Sequence, residues 1–341
     1  MLTIHMTTYR RHASGLLRKA VESVLSQDYA DFEFIICDDA SVDGSMAYLN
    51  DVAAMDCRVR VLRNPTNVNS VAISLGRCLL ASDPVRHWLS WMFDDCILLP
   101  GALSHLVAAV EASPSMRMVY GVTEVLQRNG SILRVGVANE AEIKARIAAS
   151  SLLVPNGGLL VHRSVFDRVG WYDASVVLRR SCDWDLFRRI VDGGIQFGIL
   201  PDVLMREYGD LQPDSLRNSF TTTFDMMARF VQARDAAGAR LDVKNVMIRP
   251  VDWIPQWFWT EHELNLMRYM FAEYFLSVAD VGRAFHWARL LAEDLGGARQ
   301  LMLENLLQRT VASDPPGRSD LAIGAFTGVV VEAWREQRQN R

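Results

Sequence analysis

The 341-residue chain has few cysteines, and none are spaced for metal or redox work. Its five (Cys37, Cys57, Cys78, Cys96, Cys182) are scattered and odd in number. No C-x-x-C occurs, which argues against zinc and thioredoxin-like chemistry and leaves reduced, buried thiols as the expectation. The seven histidines show no metal-ligand spacing. There is no basic block and the net charge is −4, so the chain is expected to bind no nucleic acid. No signal-peptide pattern follows Met1. The apolar run Leu321–Val331 is shorter than the ~20 residues needed to span a bilayer. These absences predict a soluble, cytoplasmic protein, with contact at the inner face of the membrane left open. No internal repeat is present, and strand signals fade after about residue 220.

What is present suits a sizeable core. Half of the residues are hydrophobic and 22% are charged. The length exceeds one typical domain. The first hundred residues alternate strand and helix. Strands are predicted at Leu2–Met6, Phe32–Cys37, Val59–Leu62 and His87–Phe93. Helices are predicted between them, the first capped by Ser14 and striped by Leu16, Leu17, Ala20, Val21, Val24 and Leu25. That alternation predicts an α/β fold, a mostly parallel, Rossmann-like sheet flanked by helices. Met118–Leu126 and Ile132–Val137 read as a hairpin around Asn129-Gly130. Leu159–His162 reads as a further strand. Ser164–Asp167 reads as a capping box, with Gly170 stopping its helix. The expected division is an α/β domain over 1–219 and a mainly helical region over 220–341, for oligomer or partner contact.

The functional signal lies at the strand ends. Each predicted strand delivers polar residues: Thr7/Tyr9, Asp38/Asp39, Asn64/Asn67, then Asp94/Asp95. Open α/β sheets bind ligands at that edge. Two carboxylates closing a buried strand either hold a cation or repel each other at a cost. Asp183 opens a further predicted helix, Cys182-Asp183-Trp184-Asp185-Leu186.

These residues in this order resemble the inverting family 2 glycosyltransferases of GT-A fold. The stretch Ser23-Val24-Leu25-Ser26-Gln27-Asp28-Tyr29-Ala30-Asp31-Phe32-Glu33 is similar to a second motif of that family. The resemblance covers roughly residues 1–210. It implies transfer of a sugar from a nucleoside diphosphate donor, a UDP-sugar favoured, to an acceptor hydroxyl on a glycan, a lipid-linked saccharide or another molecule. It implies Thr7 and Tyr9 at the base, Asp39 accepting a hydrogen bond from it, and Asp94 on the ribose or sugar side. Asp95 is implied as ligand of Mn2+ or Mg2+, Asp183 as catalytic base and Trp184 as a wall of the acceptor pocket. A homodimer is left open. The chain departs from the pattern in three places. Ser74-Leu75-Gly76 replaces Ala-Arg-Asn, Cys96 follows the acidic pair, and no histidine occurs in Arg206–Asp210. The Q-x-x-R-W of processive synthases is absent, which argues against polysaccharide extrusion.

Plainer roles compete for the same residues. Asp183 suits a helix cap, Asp185 a first-turn acid, Asp38 a turn and Tyr9 ordinary packing. The Trp253–Trp259 cluster suits packing between the two parts of the chain better than a sugar platform or a membrane belt. A nucleotidyltransferase would want a glycine-rich phosphate loop, and Met6–Tyr9 has no glycine. The remaining alternative is a catalytically degenerate, nucleotide-binding scaffold subunit.

Overall fold

The computed structural model describes residues 2–136, 139–148, 154–179, 181–209, 224–238, 241–244, 261–278 and 280–295. Two compact units result. The first comprises Met1–Ala174, Leu178–Phe220 and Gly238–Arg249; the second comprises Ser175–Val177, Thr221–Ala237 and Pro250–Arg341.

The first unit is built on a nine-stranded sheet. Strands β1 (Leu2–Thr8), β2 (Phe32–Asp38), β3 (Val59–Arg63) and β4 (Trp88–Phe93) alternate with helices α1 (Leu16–Leu25), α2 (Ser45–Met55) and α3 (Val71–Ala81). They pair in parallel in the order β3-β2-β1-β4. The sheet continues with β5 (Cys96–Leu98), β6 (Met118–Leu126), β7 (Ile132–Val135), β8 (Leu159–His162) and β9 (Phe197–Glu207). This half is mixed: β8 runs antiparallel to β4 and β6, β9 parallel to β6 and antiparallel to β5. Helices α4 (Ala102–Ala112), α5 (Glu140–Ala148), α6 (Ser164–Val169) and α7 (Cys182–Asp192) complete the unit.

The two-residue period of the strands divides the core. Leu2, Ile4 and Met6 face one way with Phe34, Ile36 and Met92, and pack with Leu17, Val21 and Val24 of α1 and Leu103 and Leu106 of α4. Leu89 and Trp91 face the other way and pack with Leu75 of α3 and with Leu186, Phe187 and Ile190 of α7. The segment Ser23–Glu33 also has a structural task. Ser23 Oγ accepts from Leu98 N–H at 3.1 Å, and Gln27 bridges Leu99 O at 3.0 Å and Leu103 N–H at 3.1 Å. These bonds lock α1 to the β5–α4 connection.

Several boundaries differ from expectation. Gly15, not Ser14, caps α1, and Ser14 Oγ accepts from Leu16 N–H at 3.3 Å. Ser164 begins α6 rather than capping it, its hydroxyl 2.7 Å from His162 Nδ1. Strands β5 and β9 carried no sequence signal. Pro201 lies inside β9, where the pairing with β6 slips between Tyr120 and Val122, so proline sits at an irregularity that has no ladder bond to lose.

Buried charge fixes the α7 end. Asp185 is fully buried and accepts from Arg188 Nη2 and Arg189 Nε, each at 3.0 Å. Arg189 in turn donates to the carbonyls of Val169, Gly170 and Trp171. Asp185 is therefore a structural anchor.

The second unit is described through α8 (Phe224–Ala236), α9 (Glu261–Ser277) and α10 (Val281–Leu295). Phe271 of α9 stacks on Trp287 of α10 with centroids 4.7 Å apart. The Trp253–Trp259 cluster, the Ser313–Gly317 break and the last expected helix lie outside the described residues. Among the described residues no helix is long and apolar enough to cross a membrane.

Removing one partner of a buried ion pair costs roughly 3–5 kcal/mol. Asp185→Ala should therefore lower the unfolding free energy by an amount of that order, read as a fall in the urea midpoint at unchanged slope. An unchanged midpoint would show that the Arg189 clamp holds nothing.

Candidate active site

Strand β1 lies between β2 and β4, parallel to both; the chain runs from β1 through β2 to β3 on one side and then crosses back to β4 on the other, so the strand order reverses between β1 and β4. The carboxyl edge there is the crevice at which open sheets take ligands. Three loops meet at it and are stitched by side chains. Tyr9 N–H donates to Asp94 Oδ2 at 3.1 Å, Arg10 N–H to Ser41 Oγ at 3.0 Å and His12 N–H to Asp43 Oδ2 at 3.1 Å. Arg11 Nε lies 3.8 Å from Asp94 Oδ1. Among the described residues, the non-glycine residues with positive φ fall in the first two of these loops and in the 64–69 loop: Arg10 at 56°, Ala40 at 61° and Asn69 at 44°. Such strain persists only where surrounding contacts over-determine the backbone.

Thr7 and Tyr9 are partly exposed at this edge, and the Arg10 guanidinium lies 5.5 Å from the Tyr9 ring centroid. Asp38 is fully buried and accepts from Ser41 N–H at 3.0 Å, which makes it a turn residue. Asp39 is 5% exposed and turned toward the 64–69 loop. Its Oδ1 accepts from Asn64 Nδ2 at 2.6 Å and Val68 N–H at 2.8 Å, and its Oδ2 from Asn69 N–H at 2.9 Å. Burial raises its carboxyl above the usual range, against the pull of those three donors. Asn64 is a hub: its Nδ2 also donates to Ser74 Oγ at 3.1 Å and its Oδ1 accepts from Arg77 Nη1. The strand-end position of Asn64 was its sequence signal. Its bonding to Asp39, Ser74 and Arg77 had none.

Asp94 and Asp95 form the β4–β5 turn. Asp94 is 8% exposed. Burial, and then the charge of Asp95, push its carboxyl up to about 7, while Arg11 and the Tyr9 amide pull the other way. Asp95 is partly buried, and its carbonyl accepts from Tyr208 N–H at 2.8 Å. A divalent cation beside the pair would offset both the burial and the repulsion. Among the described residues no three acidic, His or Cys side chains converge as a metal cage. The donors fit a hard ion of Mg2+ or Mn2+ type, which keeps waters and takes substrate oxygens.

Asp183 sits in the first turn of α7, partly buried, and its Oδ1 accepts from Trp184 N–H at 2.8 Å. Trp184 is 4% exposed, so its ring lies in the wall rather than on the surface. Asp183 and Tyr172 are neighbours: burial, then the charges of Cys182 and Asp183, hold the Tyr172 phenol well above its ordinary value. Tyr172 OH donates to Asn156 Oδ1 at 2.9 Å, and Trp91 Nε1 donates to the same oxygen at 2.9 Å. Trp91 lies on β4, three residues before Asp94, so Asn156 ties that strand to Tyr172, whose phenol feels the charge of Asp183. Sequence reading did not single out Asn156.

Sheet order and strand-end carboxylates together define a domain of GT-A type. Residues 3–169 match the glycosyl transferase family 2 profile, and this segment belongs to that family. EpsE of Bacillus subtilis (strain 168), described as a glycosyltransferase, is 28% identical over 218 residues, which is 64% of this chain and 76% of EpsE. The chondroitin synthase of Pasteurella multocida is 19% identical over 198 residues, 57% of this chain and 19% of that protein. In fold, the chain is similar to residues 1–349 of TarS from S. aureus, crystallised with UDP-GlcNAc. The TM-score is 0.56 at 12% identity, covering 98% of this chain and 92% of that one.

A carboxyl raised on folding stabilises the protein while protonated. The contribution of Asp94 is fully present below 3.8 and is lost as pH rises through about 7. Wild type and Asp94→Asn should therefore diverge in thermal stability over that window, the variant being the more stable above it by an amount on the order of a few kcal/mol. Parallel pH profiles would overturn this account of the pair.

Proposed function

We propose that the chain transfers a sugar, with inversion, from a nucleoside diphosphate donor to an acceptor hydroxyl. The observation that carries this reading is the meeting of Asp39, Asp94 and Asp95 at one sheet edge, with Asn156 bridging Trp91 of β4 to Tyr172, an electrostatic neighbour of Asp183. Thr7 and Tyr9 line the base. Asp39, already fixed by the 64–69 loop, offers its remaining acceptor capacity to an imide N–H. This favours uridine, and the UDP-GlcNAc bound to the structurally similar TarS supports it. Asp94 takes the ribose or sugar side.

Asp95 holds Mn2+ or Mg2+, which when bound stabilises the negative charge gathering on the departing diphosphate. Asp183 is the general base. It accepts the proton of the acceptor hydroxyl as that oxygen attacks the anomeric carbon from the side opposite the nucleotide. Such a base contributes about 10²–10⁴-fold. Trp184, buried behind Asp183, shapes the acceptor side by supporting the helix start. The acceptor is a glycan, a lipid-linked saccharide or another hydroxyl compound, and the helical region after residue 220 serves acceptor or partner contact.

The test is donor turnover with purified full chain and UDP-sugars. Asp183→Asn should keep donor binding and lose about 10²-fold or more in transfer. Asp95→Ala should lose metal-dependent turnover. Binding of UDP-sugar by wild type without any release of UDP would sink the reading in favour of a scaffold.

A further inference from the structure

The end of β9 closes on the acidic turn through its antiparallel pairing with β5. Cys96 pairs with Glu207, and Tyr208 N–H donates to Asp95 O at 2.8 Å. The next residue is Gly209, which is buried. A Cβ built on it would lie 2.5 Å from Asp95 Oδ2, 3.3 Å from Asp95 Cγ and 3.4 Å from Glu207 Oε1. Any side chain there would occupy the place of the Asp95 carboxylate.

Two facts decide what would yield. The β9 strand is held: Arg206 Nη2 donates to Glu124 Oε2 at 2.8 Å, and Glu124 is 6% exposed and also bound to Arg134. The Asp95 atom that would be met is the far end of a side chain, whose other oxygen accepts a long bond from Cys96 Sγ at 3.5 Å. Gly209 is not among the glycines with positive φ, so alanine is admitted by the backbone. The cost of a methyl group at 209 therefore falls on the position of one carboxylate and spares the fold.

We infer that Gly209 is a positioning residue for Asp95, its missing side chain setting where the metal-holding carboxylate stands. This rests on the metal-dependent donor reading given above. Displacing a supporting contact of a metal ligand weakens metal affinity by about ten- to a hundredfold.

The test measures Mn2+ binding by electron paramagnetic resonance, with and without UDP, and UDP binding alone by calorimetry. It uses the full chain as wild type, Asp95→Asn, Gly209→Ala, Asp95→Ala and the Asp95→Ala/Gly209→Ala double variant. No UDP-dependent Mn2+ binding by wild type, or undiminished binding by Asp95→Asn, overturns the donor reading itself. With wild type binding and Asp95→Asn deficient, Gly209→Ala should bind Mn2+ about tenfold or more weakly while its metal-free UDP binding stays unchanged. Wild-type Mn2+ affinity in Gly209→Ala overturns the inference. Where Gly209→Ala lowers the thermal midpoint, the double variant decides. A midpoint restored to that of Asp95→Ala locates the clash at the carboxylate, as inferred. A double variant as unstable as Gly209→Ala assigns the glycine to the fold alone and overturns the inference.

Discussion

Two adjacent carboxylates at the end of a buried strand set the terms for the rest of the first unit. Asp94 is buried beside Asp95, and both burial and repulsion oppose its ionisation. A protein keeps such a pair only where surrounding groups hold it and where binding relieves it. Here the Tyr9 amide and Arg11 hold Asp94, and Tyr208 holds the Asp95 backbone. The loops after β1 and β2 are then tied to the same point, and the residues of unusual φ lie within them and the 64–69 loop.

Polar residues outside the acidic pair do the joining. Asn64 connects the ends of β2 and β3 to α3, and in doing so fixes Asp39. Asn156 accepts from Trp91 and Tyr172 and thereby relates the segment before α7 to β4. Asp185 and Arg189 hold the loop that enters Trp171. Asn64 and Asp185 are fully buried and bonded by other side chains, which gives a defined geometry rather than a merely compact one. Asp183 and Asp185 illustrate the difference that two residues make. They share a helix turn, yet Asp185 is wholly taken up by arginines while Asp183 remains partly exposed.

Much of this was legible beforehand because it is local. Period-two strands and period-3.6 helices announce themselves over short windows, so β1 to β4 and α1 to α3 lie close to where the sequence placed them. The family match over residues 3–169 follows from the same stretch. Helix caps were less legible. Gly15 and Ser164 shifted by a residue because a cap depends on φ and on neighbours that composition does not reveal. Strands β5 and β9 were invisible because one is three residues long and the other contains Pro201.

By itself the sequence determined which side chains stand at strand ends: Thr7, Asp39, Asn64, Asp94 and Asp95 follow directly from alternation and strand length. Only the tertiary structure decided what those side chains do. Asp39 became a loop organiser because β2 and β3 are neighbours, and Asp185 became an anchor because Trp171 comes within reach of Arg189. Gly209 came to face Asp95 because β9 pairs antiparallel with β5, more than a hundred residues away in the chain. Pairing at that separation is set by the packing of the whole sheet, and no local window of sequence contains it.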